Sequence, residues 1–461
     1  MTTPRDTETP SDLSQSDSRS TLSPTRLAWT DNVSDSGFIA SSKSSEKSNG
    51  VTGNGYSKCG EGDLESGHGK GSSAELVSMG EKGSVWWKVL LQLSLCFLAG
   101  VIFGIALEKS RVFEPTSIRY QFIYQKWIML KVFLGAMATG LLCFGIIAHI
   151  PATKGLFERA RSAYYACFTT KGVLVVCIGG FLLGAGMDLS AACPAMVLAQ
   201  VGAWVGHGQA LMTVFGCLVG AFTYGFCAPF VDKYMGPKKP YEKHLLDDYI
   251  KWPFATMAIP LSLVCGVLIF ILEWFFPWRT ELEELTKNRT DDGQFMTAIA
   301  WPPYCAGILI GLLQLVIIFT VVDTMGGSSS YTTVAAQVLV TQRMESWSPY
   351  LAKFKRGVSN WWQVMYVCGA IVGALVSALC SQSLGMVPGI SLVSSFFGGF
   401  LMLFGARMGA GCTSGHGLSG TGVLALLSFL AVAMMFVGGS AFGFFFYALD
   451  VAAGLLDYAT F

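Results

Sequence analysis

The chain has 461 residues, of which 52% are hydrophobic and only 13% charged, about half of the ~25% usual for soluble globular proteins. Its formal net charge is +1, with 53 glycines and 13 cysteines. These figures exclude a soluble enzyme, a disordered regulator and a collagen-like chain, and the balanced charge offers nucleic acid no attraction. The class that remains is an all-α polytopic membrane protein embedded in a lipid bilayer, where abundant glycine lets helices approach closely.

Residues 1–84 form a separate region. They are rich in Ser, Thr, Gly, Asp and Glu, and cannot bury enough apolar surface to offset chain entropy. A disordered cytoplasmic tail is expected there. Asp6, Glu8 and Asp12 argue against a mitochondrial transit peptide, and no apolar run follows a basic start as in a secretory signal. Such tails often bind protein partners, and these residues point to none in particular.

From Val85 onward the chain is a series of apolar runs. Nine spans are predicted, at 85–107, 127–149, 172–187, 207–229, 253–276, 301–322, 361–380, 391–407 and 419–447. They divide into a first transmembrane repeat (85–252), a linking span (253–276) and a second repeat (277–461). Two of them, 172–187 and 391–407, are short for a bilayer, and each runs into a Gly-rich stretch ending in a cysteine. Broken or re-entrant helices at matching places in two halves mark transporter binding sites.

Lys and Arg set the orientation. The loops on the side of the N-terminus hold roughly twice as many as those on the other side. The N-terminus is therefore expected in the cytoplasm and the C-terminus outside or in a lumen. Asn288-Arg289-Thr290, a glycosylation sequon with Asn288 as acceptor, falls in a loop on the C-terminal side.

The two broken segments match. GGFLLGAGMDLSAAC (Gly179 to Cys193) and GGFLMLFGARMGAGC (Gly398 to Cys412) align without gaps at an offset of 219 residues, with seven of the fifteen positions identical. Trp127 and Gly135 in the preceding span share their spacing with Trp361 and Gly369. A single span between the halves inverts the second against the first, giving a pseudo-twofold inverted repeat. The Cys193 and Cys412 loops would then enter from opposite faces and meet near the midplane. Each half has a further irregular stretch after its first span, EKSRVFEPTSIRYQ (Glu108 to Gln121) and DTMGGSSSYTTVAAQ (Asp323 to Gln337). In the second, Gly326 and Gly327 with Ser328, Ser329 and Ser330 could form a concavity of N–H and hydroxyl donors for an anion.

Candidate site residues concentrate in GARMGAGCTSGHGLSG, Gly405 to Gly420. Glycines such as Gly411 let backbone approach a ligand closely. Cys412 offers a soft sulfur and a weak S–H donor, and Thr413, Ser414 and His416 add polar contacts. Asp188 and Arg407 occupy equivalent repeat positions with opposite charge; they could pair across the axis or lie at opposite surfaces. Lys131 could snorkel to a surface or line the path. G-x-x-x-G spacings such as Gly216/Gly220 and Gly369/Gly373 are read as helix packing. The remaining cysteines are read as small buried hydrophobes. No C-x-x-C pair, zinc-type Cys/His spacing or P-loop is present, so no metal, cofactor or catalytic set is expected.

GCTSGHGLSG, with the Cys193-Pro194-Ala195 repeat, resembles the YeeE/YedE sulfur-transport family over roughly residues 85–450. The resemblance implies a pseudo-twofold helical fold with re-entrant loops, and thiosulfate handed between cysteines along a narrow path. Cys193 and Cys412 match the family's two central cysteines. The bacterial thiosulfate proteins carry another cysteine in their first re-entrant loop, where this chain has EKSRVFEPTS. The Ser-rich tail and the sequon are of a eukaryotic kind. The expected partner is a small inorganic sulfur anion. A thiol in an apolar setting stays protonated and can donate to such a dianion. Weak successive contacts let it enter without being trapped. The alternative is a membrane-embedded sulfurtransferase or thiol-redox enzyme with Cys412 as nucleophile.

Overall fold

The computed structural model describes residues 71–452 apart from 169–170, 238–244, 283–294 and 356–359. Residues 1–70 of the expected 1–84 tail and the sequon at Asn288 lie outside the described residues, and the last part of that expected tail, 71–84, is the start of a helix. The described chain is helical. In order, its main helices are α1 (Gly71–Lys109), α2 (Pro115–Phe122), α3 (Ile128–His149), α4 (Pro151–Ala166), α5 (Val173–Ser190), α6 (Met196–Gly202) and α7 (Ala210–Met235). There follow α8 (Phe254–Phe275), α9 (Pro303–Val321), α10 (Ser328–Leu339), α11 (Trp361–Cys380), α12 (Leu392–Met408) and α13 (Leu426–Ala452).

Eight of these helices are long and apolar enough to cross a membrane, α1 through its segment Trp86–Lys109. A ninth span arises if α12 is joined to the π-helical turn Thr413–Gly420, from which it is bent by 44°. The boundaries sharpen the sequence reading. The short segment at 172–187 becomes α5, a full span of 18 residues. The run at 419–447 resolves into the end of that turn and a separate α13, because the glycines and hydroxyl residues at 415–422 leave no continuous apolar surface.

Helix pairing is reciprocal. α1 packs on α11 as α9 packs on α3, and α5 packs on α13 as α12 packs on α7. α5 and α12 cross each other at the centre. Glycine decides the crossings. A side chain on Gly100 would strike the Tyr366 carbonyl, and one on Gly307 the Val132 carbonyl; one on Gly186 would strike Met402, and one on Gly405 would strike Leu183. The G-x-x-x-G pairs behave as expected: Gly216 and Gly220 face the main chain of α12, Gly369 and Gly373 that of α1.

The C-termini of α5 and α12 are built alike. Ala191 (φ 47°) and Ala410 (φ 69°) are both left-handed, a conformation that costs an L-residue roughly 1–2 kcal/mol. In each case the next amide closes a six-residue ring, Ala192 N–H to Met187 O and Gly411 N–H to Ala406 O. Both loops then turn at their cysteine, whose carbonyl accepts from the residue four positions on, Val197 and His416 respectively.

Candidate functional site

Cys193 and Cys412 are both buried in the main apolar core, which also holds Met187, Met325, Met402, Met435, Tyr331 and Tyr366. Neither is in a disulfide. α10 connects their loops. From its first turn, the Tyr331 hydroxyl donates to Pro194 O at 2.8 Å, one residue past Cys193. Three residues earlier, Ser328 reaches the Cys412 sulfur. The hydroxyl of Ser419, beyond Cys412, donates to Met325 O at 2.8 Å. Thus Ser328, Ser329 and Ser330, read from the sequence as part of a possible turn of donors, form the first turn of a helix that reaches both cysteine loops. A turn ending at Gly327 precedes that helix.

The surroundings of Cys412 are rich in donors. Ser414 Oγ lies 3.2 Å from its sulfur, and the Gly327 and Gly415 amides also point to it. Thr413 sits with its hydroxyl 3.3 Å from Met187 Sδ and 3.6 Å from Met435 Sδ. Donors directed at one buried sulfur stabilise negative charge delivered there. His416 has another position. Its Nε2 donates to Gly409 O at 3.1 Å, and its Nδ1 is 3.3 Å from Ser428 Oγ. Its ring also fills the space that a side chain on Gly411 would take. Tyr164 of α4 joins this knot through Ser428 Oγ (2.8 Å) and Gly415 O (3.1 Å). His416 therefore ties the loop's two ends together.

Arg407 is buried at the end of α12. Its guanidinium donates to Tyr350 Oη (2.7 Å), Ser329 Oγ (2.9 Å) and Ser328 Oγ (3.3 Å), and lies over the rings of Tyr350 and Phe354. These partners are neutral. Ser330 turns back to Gly327 O at 2.6 Å. Asp188, at the equivalent end of α5, is also buried, and Arg119 of α2 donates to the main-chain carbonyls of Asp188 and Leu189. Asp188 and Arg407 do not meet, so the open question of their pairing resolves toward separate ends of the crossing.

Cys193 is held by main chain. The Met196 amide donates to its sulfur at 3.4 Å. Gln200 of α6 donates to Phe113 O (2.9 Å) and Ala191 O (3.0 Å), tying this loop to the stretch after α1. That stretch balances its own charges. Arg111 bridges Glu108 (3.0 Å) and Glu114 (2.7 Å), Lys109 pairs with Glu108, and Ser377 and Ser383 donate to Glu108. Lys131 neither snorkels nor faces this region. It is wholly buried and pairs with Glu273 and Glu281, with Phe276 O as a further acceptor.

Sequence reasoning missed the methionines, Tyr331, Tyr366 and Gln200. Each looks like ordinary core when read along the chain, and only the packing of α5, α6, α10, α11, α12 and α13 assembles them.

Among known proteins, the family described as sulphur transport matches residues 109–441. A thiosulfate transporter TsuA of Escherichia coli (strain K12) is 23% identical over 356 residues, covering 74% of this chain and 91% of that protein. A thiosulfate transporter TsuA of Spirochaeta thermophila is 23% identical over 350 residues, covering 74% and 95%. A probable transporter of Xylella fastidiosa (strain 9a5c) is 25% identical over 145 residues, which is 31% of this chain and 90% of that protein.

Proposed function

The chain belongs to the sulphur transport family, and from that premise we propose that it carries thiosulfate across a membrane, past Cys193 and Cys412 in series. The observation that carries this reading is the placement of both reduced thiols in one buried cluster, on loops that α10 ties together. Thiosulfate presents a soft terminal sulfur to each thiol and its oxygens to hydroxyl and amide donors. Ser328, Ser329, Thr413 and Ser414 supply such donors at the Cys412 end, and Arg407 supplies a positive charge that no carboxylate neutralises among the described residues. Weak contacts repeated along a path let an anion enter and leave. The sulfurtransferase alternative is not favoured. Family and relatives are transporters, and the ring nitrogens of His416 are engaged by Gly409 and Ser428.

The matched loop ends and reciprocal packing support descent from an inverted repeat, with the two cysteine loops entering from opposite faces. On this reading the N-terminus is cytoplasmic, the C-terminus and Asn288 are on the far side, and Asp188 marks that side.

Purified protein in liposomes tests the function. Saturable uptake of radiolabelled thiosulfate is expected; uptake no greater than in protein-free vesicles overturns it. Epitope tags test the topology. A tag before residue 80 should be protected in intact cells and one after Phe461 exposed, and finding both ends on one side would break the inverted arrangement.

A further inference from the structure

Two buried hydroxyls near Cys412 have poor acceptors. Tyr366 of α11 is almost wholly buried against Phe103, and its hydroxyl donates to the thioether of Met325 at 3.6 Å. Thr413 directs its hydroxyl to the thioethers of Met187 and Met435. All three methionines belong to the buried cluster of the two thiols, and Met325 is itself fixed there by Ser419. A thioether is a weak acceptor. The buried hydroxyls of Tyr331, Ser348 and Ser419 instead reach carbonyls, and Ser190, though 3.9 Å from the Met402 thioether, has the Gly186 carbonyl as its near acceptor at 2.6 Å. A donor placed on a thioether keeps nearly its full capacity for a charged acceptor, because an anion gives a much stronger bond than the one it displaces.

We propose that Tyr366 and Thr413 are the hydroxyls that receive the oxygens of a passing thio-oxyanion between the two thiols, with Met325, Met187 and Met435 as exchangeable acceptors that set their directions. This rests on the transport reading above, gives Thr413 a defined role in it, and extends it to Tyr366 and the three methionines, which lie outside the cysteine loops. It also explains the choice of methionine over leucine. Met and Leu fill similar volumes, yet only Met can hold a hydroxyl in place without competing strongly for it.

The proposal makes two substitutions act with opposite sign. Tyr366→Phe removes the donor while keeping the ring, and should raise the KM for thiosulfate roughly tenfold or more, the loss expected for one hydrogen bond to a charged group. Thr413→Val should do likewise. Met325→Leu removes the acceptor that the anion has to displace, so KM should fall while the ligand-free protein becomes less stable. A purely structural role would move both substitutions in one direction.

The experiment is initial-rate uptake of radiolabelled thiosulfate into proteoliposomes for the unaltered protein and the three variants. Thermal unfolding in detergent, with and without thiosulfate, checks folding and binding independently. Opposite shifts for Tyr366→Phe and Met325→Leu, in KM and in thiosulfate-induced stabilisation, support the proposal. Shifts in the same direction, or a Tyr366→Phe KM within twofold of the unaltered protein, overturn it while leaving the transport reading intact. No uptake by the unaltered protein overturns both.

Discussion

Cys193 and Cys412 stand at equivalent ends of α5 and α12, after the same left-handed alanine and the same closing hydrogen bond. Their surroundings are nevertheless built from different atoms. Cys412 is ringed by side chains: Ser414, Ser328, the Thr413 hydroxyl with its two thioethers, and the His416 knot. Cys193 is held by the Met196 amide, with Gln200 bracing the loop through carbonyls. A loop whose own side chains supply its polar contacts advertises itself in sequence, and a loop braced by donors from elsewhere in the chain, as Gln200 and Tyr331 brace that of Cys193, does not. One of two matched loops can therefore look conspicuous and the other plain while both carry a thiol in the same cluster.

Four sets of substitutions break or sharpen this comparison. The largest effect is expected from the thiols. Cys412→Ala and Cys193→Ala should each reduce thiosulfate uptake to near background, and the double variant should be little worse, since both act on one route. Uptake above half of the unaltered level in well-folded Cys412→Ala would end the central-thiol mechanism.

Next comes the charge difference between the two ends. Arg407→Gln removes a buried cation whose partners are hydroxyls and rings, and should raise KM roughly tenfold or more. Arg407→Lys should restore little of this, because a single ammonium cannot reproduce the guanidinium's fork. An unchanged KM in Arg407→Gln would remove this residue from the path.

The bracing of the plainer loop comes third. Gln200→Leu strands two carbonyls, and should cost about 1–3 kcal/mol of stability, read as a lower unfolding temperature in detergent. The smallest effect tests the shared turn. Glycine incurs no steric penalty at positive φ, so Ala191→Gly and Ala410→Gly should each change stability by less than about 1 kcal/mol, and by similar amounts. Unequal responses would show that the two turns are not mechanically equivalent.

Much of the site was legible in the sequence for a physical reason. Helices in lipid need long apolar runs, so the spans showed as hydropathy, and close crossings need glycine, so the two crossing segments showed as matched Gly and Cys. His416 and Ser330 were legible only as polar residues. Their hydrogen bonds turn inward, His416 to Gly409 and Ser428 and Ser330 to Gly327. Residue type alone does not say which way a hydroxyl or imidazole faces.

By itself the sequence determined the helical class, the approximate spans, the two cysteines and the offset that relates them, because each depends on local composition or spacing. Only the tertiary structure decided that α10 lies between the cysteine loops, that Arg407 goes to Ser328, Ser329 and Tyr350 rather than Asp188, and that hydroxyls near Cys412 rest on thioethers. Those contacts join residues far apart in the chain. They arise where packed helices bring side chains together, and no local pattern encodes such a meeting.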